Sequence, residues 1–329
     1  MVKVNTNVLT IGNAIVDTLF RVDESLINTS GLTKGTMSLV SAEEASGLRN
    51  NMGPGFEVCG GSAANTAVGI AVLGGKASFI GKVGDDKLGQ VFEESIVNVG
   101  VNYKRNLSIT GAPTANCVIF VTEDGERTMN TYLGACTEIS PEDIDPALVT
   151  NSSVTYLEGY LWDPADAKAA FQKVFNLTRE SQKLSSLSLS DVFCVNRHRN
   201  EFRELVKNNV DILFANEEEI IALYEASDFT QAVSYIQQDC SIAALTRGSQ
   251  GSLVVTADKV HIIESSLVKD VVDTTGAGDM FAAGFLYGLI AGFELDRCGR
   301  LGSLVAEETI SYFGARPETD LIHHISNSA

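Results

Sequence analysis

From Pro141 onward the chain alternates short apolar runs with longer amphipathic ones. The runs at 154–157, 184–189, 210–214, 242–245 and 253–255 predict strands, and those at 164–181, 197–207, 217–224 and 229–240 predict helices. Strand and helix in alternation build βαβ units. A series of them gives an α/β fold: a doubly wound, mostly parallel central sheet flanked by helices. Val8 to Ile11 is a continuous apolar run and predicts a central strand of the same sheet. In such sheets ligands bind beyond the carboxyl ends of the strands.

The first 140 residues are patterned differently. Residues 18–40 are mixed, with a short helix after Asp23 and a strand at 35–40. Ser41 and Glu44 have the spacing of a capping box at a helix start. A helix of small residues follows Cys59-Gly60-Gly61 and ends near Leu73, and 86–97 is amphipathic. The runs 115–121 and 127–132 flank Glu123-Asp124-Gly125-Glu126, a hairpin signal. With 36–40 they predict a small β-sheet lid over the site. The chain is read as a single domain, 1–329, with lid segments at roughly 18–40 and 102–135.

Composition narrows the function. Apolar residues make up 44% and charged residues 20%, as in ordinary globular proteins. A net charge of −18 with no Lys/Arg cluster argues against nucleic acid and against an anionic membrane surface as partner. It would also repel a nucleotide at long range, so any phosphate site must be built locally. The six cysteines are widely spaced without a Cys-x-x-Cys pair, which predicts buried thiols in a reducing compartment. No signal-type segment opens the sequence and no apolar run reaches the ~18 residues of a membrane span, so the expected location is cytoplasmic.

The most informative stretch is Asp273-Thr274-Thr275-Gly276-Ala277-Gly278-Asp279, followed by an apolar, Ala-rich helix. Its glycines let the backbone turn sharply, and the helix start offers unpaired N–H groups with partial positive charge, an anion site suited to phosphate. Asp279 fits a plain first-turn acid, or a group that accepts a proton from a hydroxyl attacking the phosphate. Asn13 and Asp17 interrupt an apolar run: they read as a turn and a wet edge, or Asp17 as an acceptor for a vicinal diol. Gly60 and Gly61 read as a helix entry or as a hinge. Phe193 reads as core or as a platform for a ring. Asn216 with Glu219 reads as an N-cap or as a phosphate and metal site. Thr246, Gly248 and Gly251 read as a Gly-rich hairpin or as a nucleotide-lining loop, and Arg127 as a surface charge or a phosphoryl contact.

Asp-Thr-Thr-Gly-Ala-Gly-Asp resembles the signature of the ribokinase-like (PfkB) family of carbohydrate and nucleoside kinases. Gly60-Gly61-Ser62-Ala63-Ala64-Asn65-Thr66-Ala67 closely resembles its first signature, and Asn216 and Glu219 its Asn-x-x-Glu motif. The motifs stand in the family's order over nearly the whole chain. Gly12-Asn13-Ala14-Ile15-Val16-Asp17 and Leu189-Ser190-Asp191-Val192-Phe193 are similar to its adenosine kinase branch. The resemblance implies Asp279 as catalytic base, an anion hole at Gly276, Ala277 and Gly278, and Arg127 reaching the transferring phosphoryl group. It implies acceptor contacts from Asn13, Asp17, Gly60, Gly61 and Asn65, with Phe193 stacking on adenine. It also implies ATP contacts from Asn216, Glu219, Thr246, Gly248 and Gly251, and Mg²⁺ near Glu219 through water. Asp273 and Thr275 match positions that bind a monovalent cation such as K⁺ in relatives. The family's usual Lys is replaced by Arg247.

The expected activity is transfer of phosphate from ATP to the 5′-hydroxyl of adenosine. One alternative is the same chemistry on ribose, fructose or a sugar acid. Another, of a different class, is a silent nucleoside- or sugar-binding protein. No P-loop, protein-kinase motif or dinucleotide fingerprint is present in the sequence. The small molecule and ATP are the expected partners, and the expected assembly is a monomer or a homodimer, since an exposed lid sheet can pair with a second copy.

Overall fold

The computed structural model describes residues 7–50, 52–265 and 271–316. The strand Asn7–Ile11 pairs in parallel with Val154–Glu158 on one side and Lys76–Ile80 on the other. Beyond Lys76–Ile80 lies Asn102–Tyr103. Beyond Val154–Glu158 come Leu184–Ser188, Ile212–Asn216 and Ile242–Thr246, all parallel. Ser252–Val255 and Val260–Ile263 complete the nine-stranded sheet in antiparallel pairing. The chain thus builds one half of the sheet outward from Asn7–Ile11, then returns to build the other. The order reverses between Asn7–Ile11 and Val154–Glu158, and that switch point opens the crevice where doubly wound folds bind ligands.

Alternate residues of the central strands feed two cores. Leu9, Ile11, Leu157 and Leu213 pack with Phe171, Phe175 and Phe202 from the helices Ala165–Glu180 and Val192–Asn209. Val8, Tyr156 and Phe214 pack on the other face with Phe79, Phe281 and Phe285. On that second face the helices Ser62–Val72 and Ala277–Ile290 cross closely. A Cβ at Gly69 would lie 2.6 Å from Ala283 Cβ, so the small residues of both helices set their separation.

A second sheet of five strands is ordered Met37–Leu39, Arg127–Tyr132, Ala115–Val121, Ile15–Arg21, Phe56–Gly60. The predicted hairpin and the 36–40 strand are part of it. The strands Ile15–Arg21 and Phe56–Gly60 are not predicted by the run pattern, because polar residues, Asp17 and Thr18 in one and Glu57 in the other, interrupt their apolar stretches. In Ile15–Arg21, Val16, Thr18 and Phe20 are buried, while Ile15, Asp17 and Leu19 are partly open. Phe20, Val118 and Phe120 fill a small core with Ile27 on the back of this sheet. The Ser41–Glu44 capping box is formed in both directions. The helix predicted over 197–207 runs as Val192–Asn209 with non-helical backbone at His198, so the sequence pattern marks its second segment. No helix among the described residues is long and apolar enough to cross a membrane. All six cysteines are buried free thiols.

Candidate active site

The two sheets face each other across a cavity of about 590 Å³. Its volume lies in the range of small-molecule sites. The lid sheet contributes one face of alternate residues, including Asp17, Ile119, Arg127 and Met129. The large sheet contributes the ends of its strands and the helix starts that follow them.

Ala277–Ile290 begins at Gly276, whose φ is +77°, and a Cβ there would sit 2.6 Å from the Ala315 carbonyl oxygen. No side chain caps this helix. Gly276, Ala277, Gly278 and Asp279 line the cavity, so the positive end of the helix dipole meets whatever enters. Asp279 Oδ1 accepts from Ser62 Oγ at 2.6 Å, and Oδ2 accepts from Asn65 Nδ2 at 2.9 Å. The close crossing at Gly69 and Ala283 is what brings these groups together. Burial raises the Asp279 pKa to about 6, against the pull of the two hydrogen bonds and of Arg316.

Gly61 starts the other helix of this pair at φ +100°, and a Cβ there would lie 2.0 Å from the Asn13 carbonyl oxygen. Only glycine fits. Asn13 donates its backbone N–H (2.8 Å) and its Nδ2 (2.6 Å) to Glu158 Oε1, and Ala63 N donates to Oε2 at 2.7 Å. Glu158 therefore ties the strand end, the di-glycine turn and the helix start into one corner at the switch point. It is fully buried, and desolvation lifts its pKa to about 7. Asp17 faces the same corner, with a pKa raised to about 6 by burial, moderated by Arg316 and Arg127. Glu158 and Arg316 carry no motif that marks them in the sequence.

Phe193 lines the cavity with its ring 62% exposed, so it is not a core residue. The Arg197 guanidinium lies 4.8 Å from its ring centre, and Asp191 caps the helix beneath it through Cys194 N. Asn216 and Glu219 also line the cavity, bound to each other as a reciprocal capping box. Burial lifts the Glu219 pKa to about 7. Thr246 lines the cavity too, while Gly248 and Gly251 build the adjoining turn. Arg247 is engaged by Glu217 at 3.0 Å and lies over Phe229, so it does not stand in for the family's Lys here.

No group of three or more His, Cys, Asp or Glu among the described residues is arranged to enclose a metal ion. A buried acid on the cavity wall does fit Mg²⁺ held mostly by water and nucleotide oxygens. The residues do not fit a monovalent cation in this arrangement. Asp273 accepts from Thr275 N and Oγ1, from Gly314 N, and from Arg127 Nη2 at 2.6 Å. Arg127 Nη1 also donates to Thr275 Oγ1 at 3.0 Å. The Asp273 oxygens and Thr275 Oγ1 are thus already taken by protein donors.

Residues 38–320 match the pfkB family carbohydrate kinase. The chain belongs to that family. The kinase is 47% identical to the adenosine kinase of Sinorhizobium meliloti, with a TM-score of 0.90 over 99% of this chain and 100% of that one. It is 45% identical to a probable sugar kinase of Rhizobium etli, with a TM-score of 0.91 over 99% of both chains. The aminoimidazole riboside kinase of Salmonella typhimurium is 29% identical over 245 residues, 70% of this chain and 73% of that protein. The protein is thus a phosphotransferase of the sugar and nucleoside type, acting on a hydroxyl group.

Proposed function

We propose that this kinase transfers the γ-phosphoryl group of ATP to the 5′-hydroxyl of adenosine. The reading rests on one observation above others. The exposed Phe193 ring shares its cavity with Asp17, Asn65 and Asp279, and with an apolar wall of Met37, Leu39, Ile119, Met129 and Leu133. A bare sugar would leave that apolar wall unmatched, whereas a purine covers it. The likeness to the Sinorhizobium adenosine kinase supports the same assignment.

Asp17 and Asn65 hold the ribose hydroxyls, and Phe193 stacks on the base. The acceptor oxygen bonds to the γ-phosphorus as the bond from that phosphorus to the β–γ bridging oxygen breaks, and ADP leaves. Asp279 receives the hydroxyl proton late in that step. Its carboxylate, with a pKa of about 6, is far too weak a base to remove an alcohol proton beforehand. The amides at Gly276 to Asp279 and the Arg127 guanidinium stabilise charge on the transferring group. Thr246, Gly248 and Gly251 flank the nucleotide. Mg²⁺, held through water by Asn216 and Glu219, would neutralise charge on the phosphates when bound.

A substrate panel with a coupled ADP assay tests the assignment. Adenosine is expected to give the highest kcat/KM. Ribose, fructose or a sugar acid giving a higher value would move the enzyme to the sugar kinases of its family.

A further inference from the structure

Arg316 follows Ala315, the residue that packs on Gly276, and its side chain turns into the wall between the acceptor corner and the anion hole. Its Nε donates to Asn65 Oδ1 at 3.0 Å, and its Nη1 donates to Ser95 Oγ at 3.0 Å. Nη2 is buried with no hydrogen-bond partner among the described residues. Arg316 does not line the cavity, so it acts from behind.

An amide side chain can turn either end toward a neighbour, and the two choices are chemically opposite. Here the Arg316 Nε–H fixes which end is which. A guanidinium only donates, so the Asn65 oxygen must face it, and Asn65 Nδ2 must then face Asp279. The reverse orientation would set an amide oxygen against the Asp279 carboxylate and an NH₂ against the guanidinium. We propose that Arg316 is a positioning residue: it locks Asn65 as a donor to Asp279 and sets a buried positive charge behind that pair. The inference rests on the assignment of Asp279 as the proton acceptor.

The charges around Asp279 show why such a group is needed. The Asp279 charge is felt by Glu158, Tyr156 and Tyr160 on the strand Val154–Glu158 and the turn after it, and the Arg316 charge acts on Asp279 in return. Ser62 and Asn65, from the facing helix, are neutral. The Arg316 charge acts on Asp17 as well, with Arg127 as a second cation there. Desolvation disfavours every charge in this wall, including that of Arg316, and the guanidinium offsets the cost for the carboxylates.

The test is the pH dependence of kcat/KM for the acceptor in the full-length enzyme. Arg316→Met is expected to move the acidic limb up by about one pH unit, since an opposite charge nearby lowers a carboxylate pKa by that order or more. It is also expected to lower kcat about ten-fold or more, with KM for ATP unchanged. Arg316→Lys keeps the charge and is expected to leave the limb in place while recovering part of kcat. Ser95→Ala removes one anchor without changing charge, and is expected to lower kcat with the limb unmoved. If Arg316→Met does not fold, the Arg316→Lys and Ser95→Ala pair decides on kcat. An unmoved limb and unchanged kcat in Arg316→Met, or wild-type kcat in both of the other variants, would overturn the proposal. Asp279→Asn separates this from the underlying reading: retained turnover there removes the base assignment itself. Lost turnover there, with an unmoved limb and unchanged kcat in Arg316→Met, removes only the role of Arg316.

Discussion

Arg127 on the lid sheet lies 2.6 Å from Asp273 on the loop that opens the anion hole, and its guanidinium stacks 4.6 Å from the Phe313 ring centre. One side chain thus ties the lid to the body of the molecule beside the Gly276 turn. In our reading the guanidinium keeps Nη2 on Asp273 and turns Nη1 from Thr275 to a nucleotide phosphate. Arg127→Met is expected to lower kcat by about 10²–10³-fold, the usual loss for one charge-stabilising donor. Arg127→Lys is expected to recover little, because a point charge cannot serve two acceptors in a planar fork. Steady-state kinetics with both variants check this, and a kcat near wild type in Arg127→Met would remove the contact from the mechanism.

The same geometry bears on monovalent cations. With Asp273 saturated by Thr275, Gly314 and Arg127, replacing K⁺ in the assay by a bulky organic cation is expected to leave turnover unchanged. Burial alone would raise the Asp273 pKa, but these donors and the Arg127 charge hold it below the ordinary value, so the carboxylate is ionised throughout the assay range. A marked dependence on K⁺ would show that the guanidinium leaves and a cation replaces it during turnover.

Asp279 must be ionised to accept a proton, and its pKa lies at about 6. The kcat/KM for the acceptor is therefore expected to fall as pH drops through about 6, and to be flat on the alkaline side of that limb. Asp279→Asn is expected to lower kcat by about 10²–10⁴-fold while leaving acceptor binding in place. Near-wild-type turnover in that variant, measured by ADP release, would exclude the role.

The turn and helix start at Gly276 were legible in the sequence because their parts are contiguous: seven residues form the turn, the helix start and the acid together. The alternating series after Pro141 was legible because runs of buried strand residues stand out against amphipathic helices. Glu158 was not legible. It is 145 residues from Asn13 in the chain, and only the meeting of Val154–Glu158 with Asn7–Ile11 brings the two together. Arg316 and Asn65 are separated by 251 residues and meet for the same kind of reason. The strand Ile15–Arg21 was hidden by Asp17, a polar residue on an otherwise apolar stretch, which the fold accommodates by turning it toward the cavity. Long-range pairing decides these positions, and local pattern cannot report it.

Folding stability should run opposite to activity over part of the pH range. Asp17 and Asp279 titrate near 6, and Glu158 and Glu219 near 7, whereas free carboxyl groups titrate near ~4. Between those limits the native state binds more protons than the unfolded chain, so stability decreases as pH rises. The ligand-free enzyme is expected to unfold at lower denaturant at about pH 7.5 than at about pH 5.5, and Glu158→Gln is expected to flatten that dependence. Each raised unit is worth at most about 1.4 kcal/mol. Denaturant midpoints that rise from the lower to the higher pH would contradict the burial argument.

In our proposal Phe193 separates a nucleoside acceptor from a sugar. Phe193 is 62% exposed on the cavity wall, which leaves an aromatic surface available for stacking. Base–aromatic stacking is worth about 1–3 kcal/mol, so Phe193→Ala is expected to raise KM for adenosine by about five- to 150-fold. In our reading ATP is held at the Gly276 helix start, so its KM should not move, and neither should the acidic limb set by Asp279. Phe193→Tyr keeps the ring and is expected to stay close to wild type. The Arg197 guanidinium over the same ring gives an internal control: Arg197→Met leaves the aromatic face in place and is expected to cost far less than Phe193→Ala. Equal changes in both KM values, or a larger effect from Arg197→Met, would show that the ring shapes the wall and does not hold the base.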